Sequence, residues 1–182
     1  YKDVHITVVT MGPPQADVAL REALAMGADR AILLSDRAFA GSDTWATAKT
    51  LAAAIKKIGE YDIIFCGRQA IDGDTAQVGP QLAENLDLPQ ITYVTYLEIN
   101  GNEVRAHRAL EDGYQVLSTK MPCLLTAIKE LNEPRYPSIR GIFDAYGEKQ
   151  VEVWSAKDFD IDLNETGLNS SPTNVRQTFT PS

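Results

Sequence analysis

Short β-branched runs alternate along this chain with stretches of helical periodicity, and most of these helical stretches stop at a glycine. This alternation restricts the fold more than any other feature. Val4-His5-Ile6-Thr7-Val8-Val9-Thr10-Met11 is apolar and β-branched and ends at Gly12-Pro13-Pro14, which predicts a strand, a loop and a helix with proline in its first turn. Val18, Ala19, Leu20, Ala23, Leu24 and Met26 supply the apolar face of that helix, and Gly27 stands where its C-terminal stop belongs. Residues 31–34 predict a second strand, and Ser42, Asp43 and Thr44 are each able to cap the helix after it. That helix carries Trp45, Ala48, Leu51, Ile55 and Ile58 at spacings of three and four, with Lys56 and Lys57 in the last turn and Gly59 after them. Tyr61-Asp62-Ile63-Ile64-Phe65-Cys66-Gly67 is a third run, of the kind buried on both faces of a parallel sheet. A helix is expected over residues 76–86. Three strand–helix units in succession predict a parallel, right-handed, doubly wound sheet.

The pattern changes from Ile91 onward. Residues 91–99 are β-rich, Asn100-Gly101 is a hairpin signal, and residues 103–109 return as the partner strand. Residues 115–118 and 123–128 predict further strands, and residues 151–154 a last short one. Pro134, Pro137, Gly141 and Gly147 make residues 130–149 a long loop with room for one short helix. Beyond Asp158 the chain is polar and reads as an extended tail. The predicted organisation is an α/β domain over residues 1–149 with an antiparallel extension, followed by a strand and tail over residues 150–182.

Composition narrows the function. A net charge of −8 argues against nucleic acid or an anionic membrane as the main partner, since both require clustered Lys and Arg. It does not exclude a nucleotide, because backbone N–H groups at a helix start hold phosphate without net positive charge. No stretch reaches the roughly 18 apolar residues of a membrane helix, and the first residues lack the shape of a signal peptide. Cys66 and Cys123 sit inside apolar runs and read as free buried thiols of a reducing compartment, with the cytoplasm as the expected location. His5 and His107 have no Cys or His companions nearby, so no metal site is expected.

The stretch richest in chemical possibility is Gly67-Arg68-Gln69-Ala70-Ile71-Asp72-Gly73-Asp74-Thr75-Ala76-Gln77-Val78-Gly79-Pro80. It leaves the carboxyl end of a strand and opens into a helix, the place where ligands bind in open α/β sheets. Gly67 and Gly73 permit close backbone approach, and the N–H groups of Thr75, Ala76, Gln77 and Val78 are the expected first-turn donors. Spacing leaves two readings open: a cradle for a diphosphate, or a plain connection in which Asp72 and Asp74 cap the helix. The stretch is neither a GxGxxG fingerprint nor a lysine-bearing Walker A loop. Met11-Gly12-Pro13-Pro14 ends another strand in a similar way. No nucleophile–base arrangement is present, and neither cysteine has an electropositive sequence neighbour to activate it, so no catalytic residue is assigned.

The segment from Gly67 to Pro80 resembles the nucleotide loop of electron-transfer flavoprotein β subunits. Val9-Thr10-Met11-Gly12-Pro13, Ala23-Leu24-Ala25-Met26-Gly27-Ala28-Asp29-Arg30 and Leu131-Asn132-Glu133-Pro134-Arg135-Tyr136 are similar to that family in the same order, so the likeness covers nearly all of the chain. The resemblance implies a Rossmann-like, adenine-nucleotide-hydrolase-like subunit paired with a larger, flavin-carrying α subunit. It also implies that Met11, Gly67, Arg68, Gln69, Ala70, Ile71, Asp72, Gly73, Asp74, Thr75, Ala76, Gln77 and Val78 hold AMP, or FAD in electron-bifurcating members. The form Asp72-Gly73-Asp74-Thr75-Ala76-Gln77-Val78 is similar to the bifurcating type, which favours FAD. The family's recognition loop falls on residues 127–149, with Arg135, Tyr136, Pro137 and the aliphatic anchor Ile139 facing an acyl-CoA dehydrogenase-type redox partner. By the same resemblance the final segment packs on the α subunit. The resemblance also implies that the chain begins after the family's first strand and ends short of its C-terminal arm. Where some members carry a lysine run, it reads Asp144-Ala145-Tyr146-Gly147, so charge-steered docking is not carried over.

The implied role is electron transfer between dehydrogenases as a carrier subunit, not a self-contained enzyme. Two other classes share the fold. An ATP-binding stress-type regulatory domain would not need the loop 131–136 or the tail, and an adenylating enzyme would need a Ser-Gly-Gly loop that this sequence lacks.

Overall fold

The computed structural model describes residues 4–177. Its main elements in chain order are β1 (Thr7–Met11), α1 (Asp17–Ala25), β2 (Arg30–Leu34), α2 (Thr44–Ile58), β3 (Ile63–Gly67), α3 (Val78–Asn85), β4 (Gln90–Asn100), β5 (Glu103–Leu110), β6 (Gly113–Lys120), β7 (Cys123–Ala127), α4 (Ile139–Gly147), β8 (Val151–Trp154) and α5 (Gly167–Ser170). The chain divides into two compact units. One comprises residues 1–54 and 135–182, the other residues 55–134. The fold is α/β and Rossmann-like, as the alternation predicts.

The first unit is built on a parallel sheet in the order β1-β2-β8. The central strand β2 is the one shut away from water, with Ala31, Ile32, Leu33 and Leu34 no more than 2% exposed. Leu20, Leu24 and Ala25 of α1 pack with Ala28, Ala31, Leu33 and Ala145. Burying each leucine of this kind contributes about 2 kcal/mol. α4 lies against α1 so closely that a Cβ on Gly141 would stand 2.3 Å from the Ala25 carbonyl oxygen. The pairing of β2 with β8 is reinforced by a two-pronged bond from Arg30 to the Glu152 carboxylate, at 2.7 and 2.9 Å. Proline shapes the entry to α1: a 3-10 turn over Pro14–Ala16 precedes the helix proper. The segment after β8 differs from the expected extended tail. Phe159 packs near Phe39 and Trp154, and a 3-10 turn (Leu163–Glu165) and α5 follow. Ser171 Oγ accepts the Asp43 N–H at 2.8 Å.

The second unit carries a five-stranded sheet in the order β3-β7-β4-β5-β6. β3, β7 and β4 run parallel; β4, β5 and β6 form the antiparallel extension that the sequence predicts. Asn100 pairs with Glu103, so the two loop residues are Gly101 and Asn102, one position later than the Asn100-Gly101 signal. Gly101 takes φ +58°, the left-handed value that a tight hairpin asks of its first loop residue. Ile91, Val94, Val104, Ala106, Cys123 and Leu125 form the core. The expectation that β3 is buried on both faces is corrected: it stands at the end of its sheet order, and Phe65 is 52% exposed. β7 takes the buried place instead, with Cys123, Leu124, Leu125 and Thr126 all buried. A strand's apolar run reports its composition, not the neighbours it will find.

Candidate functional site: the open start of a helix

The connection from β3 to α3 is where the backbone departs furthest from ordinary geometry. Asp74 and Ala76 both sit in the left-handed region, at φ +50° and +53°. Each such non-glycine residue costs on the order of 1 kcal/mol, and such residues cluster at ligand sites. The same twist delays the helix. α3 starts at Val78, two residues later than residue 76, and its first bonded amide is that of Gln81, donating to the Gln77 carbonyl at 3.0 Å. Pro80 has no N–H, so Val78 and Gly79 bring the leading donors. The donor set therefore shifts toward the helix from the expected 75–78.

Neither aspartate caps the helix. Gln77 occupies the cap position in helical backbone geometry and makes no side-chain cap bond. Asp72 is engaged with the Gly73 N–H at 2.9 Å, and the Asp74 carboxylate accepts the Gln69 side-chain amide. Asp74 in turn donates its N–H to the Ala70 carbonyl at 3.0 Å, and Arg68 Nε donates to Gln69 Oε1 at 3.1 Å. These bonds fold the loop on itself, while Ile71 stays fully exposed and Gly67 and Gly73 have open space where a Cβ would be. The loop residues from Gly67 to Val78 are thus brought together within the second unit. Met11 belongs to the first unit, where it pairs with Leu34 in the β1–β2 ladder.

Gly79 has a second job. A Cβ there would lie 2.6 Å from Thr126 Cγ2 and 3.5 Å from Cys66 Cβ, so only glycine lets α3 sit directly on the strands. Burial pushes the Cys66 thiol up to about 11 and raises that of Cys123 as well, so neither is a thiolate at neutral pH. Both are free cysteines, Cys123 buried and Cys66 half-buried.

Beside the loop lies a cluster that the sequence does not announce. Tyr93, in the irregular part of β4, takes φ +57° and donates its N–H to Thr126 Oγ1 at 2.9 Å. The guanidinium of Arg68 stands 5.6 Å from the Tyr93 ring centre and that of Arg108 6.0 Å. Arg108 Nε and Gln81 Oε1 are the buried side-chain atoms left without a partner among the described residues. Tyr93 and Arg108 each sit in a run that reads as plain strand, and only the pairing of distant strands sets them near Arg68.

On the first unit, Ser138 caps α4 by accepting the Gly141 N–H at 3.0 Å. Gly141 and Ala145 face α1, which turns Ile139 (77% exposed), Phe143 and Tyr146 outward. Tyr136, just before the helix, is 95% exposed. The loop 130–149 thus contains the short helix anticipated for it, with an apolar outer face at spacings of four and three.

Among the described residues, no helix is long and apolar enough to cross a membrane. Residues 1–159 match the family described as "Electron transfer flavoprotein domain". The chain is 65% identical over 176 residues to "Electron transfer flavoprotein subunit beta" of Thermoanaerobacterium thermosaccharolyticum. It is 55% identical over 177 residues to "Caffeyl-CoA reductase-Etf complex subunit CarD" of Acetobacterium woodii, and 48% identical over 183 residues to "Acryloyl-CoA reductase electron transfer subunit gamma" of Anaerotignum propionicum. Each alignment covers 97% of this chain and 67% to 68% of the relative.

Proposed function

From the premise that the chain belongs to the electron transfer flavoprotein family, we propose that it serves as a β-type electron-transfer subunit binding FAD, with AMP the alternative, at Gly67–Val78 and Met11. The observation that carries the site is the uncapped start of α3 at the carboxyl end of β3. An adenine nucleotide's diphosphate fits the chemistry of that donor set. Val78 and Gly79 bring N–H groups at the positive end of the helix dipole, and the two nearby carboxylates are already engaged with Gly73 and Gln69. When bound, the flavin supplies one-electron redox chemistry. The loop holds the phosphates by backbone amides, and Thr75 offers a hydroxyl beside them. Arg68 adds the cationic side chain of the loop.

The chain works in this reading as a carrier within a redox complex, paired with a flavin-carrying α subunit on which the segment over residues 150–182 packs, residues 178–182 lying outside the described ones. Arg135, Tyr136, Pro137 and Ile139 dock an acyl-CoA dehydrogenase-type partner, a role supported by the exposed apolar face of α4. Flavin-based bifurcation is favoured by the Asp72–Val78 loop form and by relatives named for a caffeyl-CoA reductase–Etf complex and an acryloyl-CoA reductase. The location is cytoplasmic, in keeping with two free thiols.

The decisive experiment counts cofactors in the protein purified in its native assembly. Two flavins per α–β pair support FAD in this chain and bifurcation; one flavin with AMP supports the simple carrier. A pair holding no nucleotide beyond the α-subunit flavin rejects the site. Gly73→Val and Thr75→Pro alter the loop where a new Cβ meets nothing or where the backbone is irregular, so the fold should persist while nucleotide is lost. Full nucleotide content in both variants counts against the pocket.

A further inference from the structure

Deepening the nucleotide site just proposed, and resting on it, the geometry points to Arg108 and Arg68, gathered around Tyr93, as a clamp for a phosphate of the bound nucleotide.

The pairing register supplies the first observation. Gly67 pairs with Ala127, Ala127 with Val94, and Val94 with Arg108. One lateral row therefore runs across four strands, at the carboxyl ends of β3 and β7 and at the end of the stretch of β4 that pairs parallel with β7. Arg68 and Tyr93 flank this row by one residue each, so the cluster lies on the rim where α/β sheets receive ligands.

The second observation is electrical. Two guanidiniums share one aromatic ring in a chain of net charge −8, and neither forms an ion pair among the described residues. Arg68 reaches only the neutral Gln69 side chain, and the Nε of Arg108 is buried with no partner. A buried donor on a charged group, left unmade, is costly, and like charges at one ring repel. An oxyanion between the two guanidiniums offsets their repulsion, since a guanidinium's fork matches phosphate in two parallel bonds.

The third is rigidity. Tyr93 is held in left-handed backbone geometry by its N–H bond to Thr126, itself only 2% exposed, so the ring is a fixed platform for both cations. Phosphate is preferred over a partner's carboxylate because Arg68 stands at the head of the loop whose far end carries the helix donors. One diphosphate then meets backbone amides at one end and guanidiniums at the other.

The test titrates the protein in its native assembly, stripped of nucleotide, with ADP and with adenosine, following heat. Arg108→Gln should weaken ADP by tenfold to a hundredfold and leave adenosine unchanged; Arg108→Lys, which keeps charge without the fork, should fall between. Should the glutamine variant fail to fold, the lysine variant alone carries the test. Unchanged ADP affinity in the folded variants overturns the clamp while the nucleotide site stands. Weakened subunit association with ADP affinity unchanged also overturns it, in favour of a carboxylate. A wild-type protein that binds neither ligand rejects the nucleotide site itself.

Discussion

Two helix beginnings in this chain solve the same problem in opposite ways. At the start of α2, Asp43 Oδ1 accepts the N–H groups of Trp45 and Ala46 at 3.0 and 3.1 Å, and its Oδ2 accepts the N–H and hydroxyl of Thr173 at 2.9 Å each. The positive end of the helix is closed by the chain's own carboxylate. At the start of α3 two aspartates stand within reach in sequence, yet both are engaged inside the loop and the first turn has no side-chain cap. The contrast separates a helix end that serves stability from one left available to an external anion. An acidic residue before a helix is no guarantee of a cap, because a left-handed residue between them redirects its side chain.

Several changes break or sharpen that contrast. The largest effect is expected from Gly79→Ala, whose new methyl meets the buried Thr126; such overpacking costs about 2 kcal/mol, read as a lower denaturant midpoint. Next is Gln77→Asp, which places a carboxylate at the α3 cap and makes it resemble α2. Nucleotide affinity should fall about tenfold, roughly 1.4 kcal/mol, with little loss of thermal stability, as a calorimetric titration beside a melt would show. Unchanged affinity there would mean that the open helix end is not where phosphate sits. Asp43→Ala should cost about 1 kcal/mol in chemical denaturation and leave nucleotide binding alone.

The smallest effect is one of pH. Burial pushes the Asp43 carboxyl up, but the bonds from Thr173, Ala46 and Trp45 outweigh it and the net shift is downward. Asp36 is lowered too, chiefly by the N–H groups of Ala38 and Ala156. Their contribution is present above the ordinary aspartate range and is lost as pH falls through the depressed folded values, so melts from about pH 7 to about pH 3 should show a late acid decline. In Asp43→Asn that decline should be blunted.

Local chemistry made much of the architecture legible. Gly27 and Gly59 take φ +116° and +95° at the ends of α1 and α2, as their positions after the last periodic residues foretell. Ser42, Asp43 and Thr44 were equal candidates to cap α2, and the structure selects Asp43. What the sequence concealed depends on contacts between distant segments. Trp154 pairs with Leu34, Tyr93 bonds Thr126, and Phe65 lies exposed although its neighbours are apolar. The segment from Gly67 to Val78 is legible as a loop between strand and helix, but the left-handed backbone at Ala76 carries no local signal, and that at Asp74 only the general tolerance of aspartate for such geometry. Arg108 escaped notice for the same reason that it is informative: its neighbours in space lie on other strands.

The interleaving of the two units also bears on how the chain is made. Residues 55–134 are contiguous, so their sheet and the helix upon it have every partner available once that stretch has left the ribosome. The β1-β2-β8 sheet must wait, because one of its two outer strands arrives only with Val151–Trp154. Until then β2 presents to solvent an apolar edge destined for burial, a period of exposure to aggregation that ends when Arg30 meets Glu152. Nascent chains halted shortly before that strand should therefore be the ones that chaperones hold longest.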